Sequence, residues 1–273
     1  MQNIQLSFLS KQILNAYYEE SSQSYTQLAE KLNTTRQTIA KYARKLDSLN
    51  NFYKLYKKAV IFNPKEHDYR IFFIDIKTNP AEKEIIPGLL NLKEIVSLDG
   101  IIGNTSLIAK FRVFSSENIN TVLQQIDEII SKSEFQYYRL IDVLSIFKSS
   151  GKIFSDTSEN SYNTLAFDPE FVRQTDFPFK WYLQLRPKQS TKYNEIAQSE
   201  LIACDEIIDL YRTGQEFGLL AVVRTKSVQH YQIFLRDLYD RGNYQDSYTI
   251  FVLDERIETA FKPFDIGKFQ NKV

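Results

Sequence analysis

The sequence predicts an α+β protein in which a helical N-terminal unit precedes two copies of one βαββαβ series. Three observations predict it. Apolar residues keep a helical spacing from residue 6 to residue 50, and from residue 51 onward strand-like runs take over. The stretch "KEIVSLDGIIGNTSLIAKFRVFSSENINTVLQQI" (Lys93 to Ile126) reads as strand, glycine, strand and amphipathic helix. "DEIIDLYRTGQEFGLLAVVRTKSVQHYQIFLRDL" (Asp205 to Leu238) repeats that rhythm. Finally, 273 residues give room for two or three small domains, and 8 Gly with 7 Pro suit a regular, element-rich chain.

Three helices fill residues 6–50. Leu6, Leu9, Ile13, Leu14 and Tyr17 form the apolar face of the first. Ser24 is placed to cap the second, where Leu28, Ala29 and Leu32 share a face. Thr35 is placed to cap the third, which turns Ile39, Tyr42, Ala43 and Leu46 inward. The aromatic and β-branched run "NNFYKLYKKAVIFNP" then reads as a strand closed by Asn63-Pro64.

From Tyr69 the expected order is strand (Tyr69 to Lys77), helix (Pro80 to Leu92), strand (Ile95 to Ile102), strand (Thr105 to Phe114), helix (Ser116 to Ile130) and strand (Gln136 to Phe147). This order is the ferredoxin-like arrangement. A polar stretch, residues 149–178, reads as a linker. The series then repeats as strand (Lys180 to Pro187), helix (Thr191 to Ala203), strand (Glu206 to Tyr211), strand (Gly218 to Arg224), helix (Ser227 to Asp240) and strand (Tyr248 to Asp254). In the second copy Phe217, Leu219, Ala221 and Val223 alternate with Leu220 and Val222, so that strand is apolar on both faces. Such a strand is buried on both faces. The two sheets are therefore expected to pair, within one chain or between chains.

Formal net charge is zero, which hides an uneven distribution. Lys31, Arg36, Lys41, Arg44, Lys45, Lys54, Lys57 and Lys58 face only Glu30 and Asp47 between residues 24 and 58. A basic helical end on an acidic body points to nucleic acid at that end. Cys204 is alone, which excludes an intrachain disulfide or a cysteine metal site and leaves a buried, inert thiol. No apolar run reaches the ~20 residues of a membrane span, and "MQNIQLSFLSKQ" lacks secretory character, so a cytoplasmic protein without membrane contact is expected.

Three helices with a short polar turn before the third, inside a basic segment, form a helix-turn-helix candidate. Thr35, Arg36, Gln37 and Thr38 occupy the first turn of the third helix, where free amides and the helix dipole favour a phosphate. Gln37, Lys41 and Arg44 share a face directed away from Ile39, Ala43 and Leu46. A glutamine reads base edges; Lys and Arg bind phosphates or guanine. Ser24, Lys45, Lys54 and Lys57 complete the expected contact set with double-stranded DNA. The plain alternative is a solvated face of a small helical bundle.

The chain resembles the Lrp/AsnC (feast/famine) family of transcription regulators. "KQILNAYYEE" and "YTQLAEKLNTTRQTIAKYARKLDSL" resemble the family's three helices, and "YKKAVIFNP" its linking strand. "GNTSLIAKF" and "TGQEFGLLAVV" resemble the turn and third strand of its effector and oligomerisation domain, often called RAM. The resemblance implies a helix-turn-helix domain at 1–50, a linking strand at 51–66, RAM-like domains at 67–148 and 179–273, and a linker at 149–178. A single helix-turn-helix per chain implies a homodimer or higher homo-oligomer on a two-fold DNA site.

Asn33 stands where the family has a turn glycine; asparagine tolerates the left-handed conformation. Ser106 stands where an acidic residue is usual in the third strand, with Phe217 and Gly218 in the second copy. Typical members carry one effector domain rather than two. In the family, small effectors, commonly amino acids, bind near the glycine turn. That implies Gly103, Asn104, Thr105 and Ser106, with Gly214, Gln215 and Glu216, as effector positions. A tight turn in which glycine serves only the backbone is the alternative.

Catalysis has little support, so no enzyme is expected. His67 and His230 lack partners at ligand spacing, and GxGxxG, GxxxxGK[ST], HExxH and GxSxG are absent, so no cofactor or metal is expected. Sirohaem decarboxylases resemble the same layout, and a tetrapyrrole enzyme of that kind is one alternative. A non-DNA-binding assembly protein is the other.

Overall fold

A computed structural model of the protein describes residues 6–19, 23–53, 57–61, 69–79, 81–114, 119–154, 164–168, 177–189 and 192–258. The chain divides into two compact units. One comprises residues 1–62 and 162–178; the other comprises 63–161 and 179–273.

In the first unit α1 (Phe8–Glu19), α2 (Tyr25–Lys31) and α3 (Arg36–Tyr53) surround a small core of Ile13, Leu14, Leu28, Ile39 and Leu46. These are the residues whose 3.6-residue spacing selects helix. Ser24 starts α2 with a reciprocal cap: its Oγ accepts from the Gln27 amide, and Gln27 Oε1 accepts from the Ser24 amide at 2.8 Å. Asn33 turns the chain with φ +48°, as expected of the residue in the glycine position. Helix α3 runs to Tyr53, so the strand expected from Asn51 begins later, as β1 (Lys57–Ile61).

The expected linker at 149–178 is not structureless. It contains β6 (Lys152–Ile153) and β7 (Thr164–Asp168), and β7 pairs antiparallel with β1 in register Lys57↔Asp168 to Ile61↔Thr164. The sequence carries the reason. "AVIFNP" (residues 59–64) and "TLAFDP" (residues 164–169) are two versions of one strand ending in Phe-Asx-Pro. Polar flanks concealed the second.

The second unit holds β2 (Tyr69–Lys77), α4 (Ile85–Asn91), β3 (Ile95–Ile102), β4 (Leu107–Phe114), α5 (Ile119–Ile130) and β5 (Tyr137–Ser149). After β6 and β7 come β8 (Phe179–Pro187), α6 (Tyr193–Ile196), β9 (Ile207–Thr213), β10 (Leu219–Thr225), α7 (Val228–Asp240) and β11 (Tyr244–Glu258). The helix expected from Thr191 to Ala203 is short, because a π-helical turn at Ala197–Leu201 follows α6 directly. Neighbouring strands run β5-β2-β4-β3 in the first half and β11-β8-β10-β9 in the second, and β3 pairs with β11 as β9 pairs with β5. The eight strands therefore close on themselves.

Burial follows from that closure. Phe72, Ile74, Leu98 and Phe111 face α4 and α5; Leu183, Leu210, Leu219 and Val223 face α6 and α7. The opposite faces meet inside, where Phe73, Ile108 and Ile141 pack with Tyr182, Tyr211, Leu220 and Val222. Pairing of the two halves is thus within one chain, and it satisfies the doubly apolar strand that the sequence left without a partner.

Candidate functional site

Two regions collect chemistry, one in each unit. On α3, Arg36, Gln37, Lys41, Arg44 and Lys45 are exposed while Ile39, Ala43 and Leu46 are buried. The face expected to meet DNA is therefore presented to solvent. Thr35 Oγ1 accepts from the Thr38 amide at 3.1 Å, and the two hydroxyls lie 2.9 Å apart, so both serve the helix start. Ser24 does the same for α2, and its exposed hydroxyl is engaged by Gln27 at 2.8 Å. Lys54 lies outside the described residues, and Lys57 opens β1.

The second region is a pocket of about 570 Å³ where one end of the barrel opens, within the usual range for a ligand site. Its wall is built from matching positions of the two halves. Asp75 faces Arg139 across β2 and β5; Gln184 faces Tyr248 at the same place across β8 and β11. Thr105 and Phe217 each stand two residues before the first β4 and β10 residue, and both line the pocket. Lys77, Asn104, Phe135 and Tyr137 complete it.

The two sides of the wall differ chemically. Asp75 is buried, and its carboxylate is held by Arg139 Nη2 at 2.9 Å and by the Thr105 hydroxyl. Gln184 is only 5% exposed, and its Nε2 has no acceptor among the described residues. Arg139 Nε is likewise buried without an acceptor. Lys77 lies over the Phe135 ring, 4.6 Å from its centroid.

The expected effector positions divide. Asn104 and Thr105 line the pocket, with exposed Gly103 beside them, 3.5 Å from the Tyr248 hydroxyl if given a Cβ. Ser106 instead ties the turn to β2, its Oγ accepting from the Thr78 amide at 2.8 Å. In the second half the Gly214 amide donates to Asp142 O, Gln215 Nε2 donates to Leu140 O, and Glu216 pairs with Arg186. These three hold the halves together or the strand end in place. Gly214 has no left-handed backbone and open space around it, so the turn does not require glycine there. The demanding glycine is Gly218, at φ +73°, where a Cβ would strike Tyr193 and Arg212.

Sequence reasoning missed Asp75, Lys77, Arg139, Gln184 and Tyr248. One signal was available: "FFIDIK" and "WYLQLR" break two otherwise apolar strands with a polar residue at the same place.

Below the pocket the interior carries charge. Lys110 pairs with Asp209 at 3.0 Å, and Lys180 with Asp99 at 3.0 Å, each pair joining one half to the other. The Tyr182 hydroxyl also donates to Asp99, at 2.5 Å. Burial pushes the Tyr211 hydroxyl well above its ordinary range and lowers the buried Arg112. His230 is remote from the pocket, its Nε2 3.2 Å from Glu206 and its Nδ1 accepting from the Lys226 amide; His67 lies outside the described residues. Half-buried Cys204 donates to Glu200 O at 3.2 Å, and burial raises its thiol. Among the described residues no cluster of His, Cys, Asp and Glu could hold a metal, and no helix is long and apolar enough to cross a membrane.

Residues 9–49 match the family model for winged helix-turn-helix DNA-binding, and residues 182–260 match that of the Lrp/AsnC ligand binding domain. No curated protein matches the chain. Among solved structures, the siroheme decarboxylase NirDL is similar at 11% identity and a TM-score of 0.58, over 96% of this chain and 97% of that one. Escherichia coli AsnC is 22% identical over 52% of this chain and 94% of its own, with a TM-score of 0.41. At these identities the decarboxylase likeness speaks for the fold alone.

Proposed function

We propose that the protein is a sequence-specific, DNA-binding transcription regulator of Lrp/AsnC type, with two ferredoxin-like, RAM-like halves in one chain. The carrying observation is the exposed Arg36, Gln37, Lys41, Arg44 and Lys45 face of α3, within the segment that matches a helix-turn-helix DNA-binding model. On this reading the third helix enters the major groove, Gln37 reads a base edge and the cations bind phosphates. Two chains read a two-fold site; because each barrel closes within its own chain, their contact lies outside it. The barrel-mouth pocket, which Asn104 and Thr105 help to line, takes a small effector. Such a regulator acts in the cytoplasm.

In vitro selection of bound DNA with the purified protein tests this reading. Enrichment of one motif, with affinity falling steeply as salt rises, is the expected result. Absence of any enriched sequence at moderate salt refutes it.

The decarboxylase reading draws on the whole-chain fold likeness. Against it, the pocket lining contains no histidine among the described residues, and both ring nitrogens of His230 are engaged elsewhere. An absorbance shift on adding sirohaem would favour it over regulation.

A further inference from the structure

We infer that the barrel-mouth pocket selects an organic carboxylate with a planar apolar body and does not recognise an ammonium group. This rests on the reading of that pocket as an effector site. The argument is one of unspent hydrogen-bonding capacity. Among the described residues Asp75 is the only carboxylate in the lining, and Arg139 and Thr105 already hold its two oxygens. What remains open among the described residues is two buried donors, Arg139 Nε and Gln184 Nε2, beside the exposed ammonium of Lys77. Buried donors without acceptors are rare in folded proteins, and a ligand oxygen is one way to satisfy them.

Comparison of the two halves sharpens the point. Where the first half has Lys77, the second has Arg186, and Glu216 neutralises it. No such acid accompanies Lys77 among the described residues. With Arg139 spent on Asp75, the pocket keeps one uncompensated cation. Phe135, Tyr137, Phe217 and Tyr248 supply aromatic surface around it, suited to a flat apolar group. Because equivalent positions carry different residues, Asp75 against Gln184 and Arg139 against Tyr248, the two ends of a ligand are distinguished. One ligand therefore binds per chain, in one orientation.

Calorimetric titration of the full chain, without DNA, tests this with phenylacetate, L-phenylalanine, phenethylamine and inorganic phosphate. Phenylacetate is expected to bind at one site, at least tenfold more tightly than phenethylamine or phosphate, with L-phenylalanine no tighter. Lys77→Gln, on an exposed side chain, and Gln184→Leu are each expected to weaken phenylacetate at least tenfold. Tighter binding of phenethylamine or of L-phenylalanine overturns the proposal, as does equal binding of phosphate. So does affinity unchanged in both variants, or no binding of any probe at millimolar concentration. DNA binding by the ligand-free chain is scored separately, so loss of the regulator reading and loss of this one give different results.

Discussion

Lys110 of β4 and Asp209 of β9 meet inside the barrel, Nζ to Oδ2 at 3.0 Å, with both side chains about nine-tenths buried. Each comes from a different half. Removing one partner strands the other charge, which costs about 3–5 kcal/mol at buried pairs. Asp209→Ala is therefore expected to lower unfolding free energy in urea by that amount. Lys110→Met combined with Asp209→Leu should recover much of the loss. Recovery stays incomplete, because Asp209 also accepts from the Ser150 amide at 2.6 Å.

The two glycines near the second turn should behave oppositely. Gly218→Ala forces a side chain into left-handed backbone and onto Tyr193 and Arg212, so a loss of roughly 1–3 kcal/mol is expected. Gly214→Ala meets nothing within 4 Å and should be neutral or stabilising by up to about 1 kcal/mol. Thermal denaturation of the two variants side by side checks this; equal losses would contradict it.

Ser24→Ala removes the hydroxyl that accepts from the Gln27 amide and leaves the backbone amide of residue 24 on Gln27 Oε1. A loss of about 1 kcal/mol in the helical unit is expected, read as earlier melting by circular dichroism or faster amide exchange in α2. An effect on DNA affinity without any effect on stability would instead make Ser24 a phosphate contact.

On the regulator reading, Gln37→Ala should relax preference between the selected site and its base-substituted variants by about 1–3 kcal/mol. Lys41→Ala and Arg44→Ala should weaken binding to every sequence and reduce the salt slope by about one each. Binding isotherms on matched and scrambled duplexes at several salt concentrations distinguish the two classes. Identical behaviour of all three variants would contradict the assigned roles.

Much of this was legible in the sequence. Helical spacing with Ser24, Asn33 and Thr35 at the turns determined the three helices, because caps and period are local properties. The βαββαβ order, its repetition and the need for a second sheet against β10 were legible for the same reason: alternation and apolar runs report burial residue by residue. Tertiary structure alone decided three things. It paired the halves within one chain, burying the doubly apolar β10 in a shared interior. It matched β7 to β1, a pairing between residues about a hundred positions apart that polar flanks obscured. It also joined the first glycine turn, through Asn104 and Thr105, to Asp75, Arg139, Gln184 and Tyr248, which converge from four strands at the barrel mouth. A site made by closing a barrel has no spacing in the chain, since strand register rather than sequence distance brings its walls together.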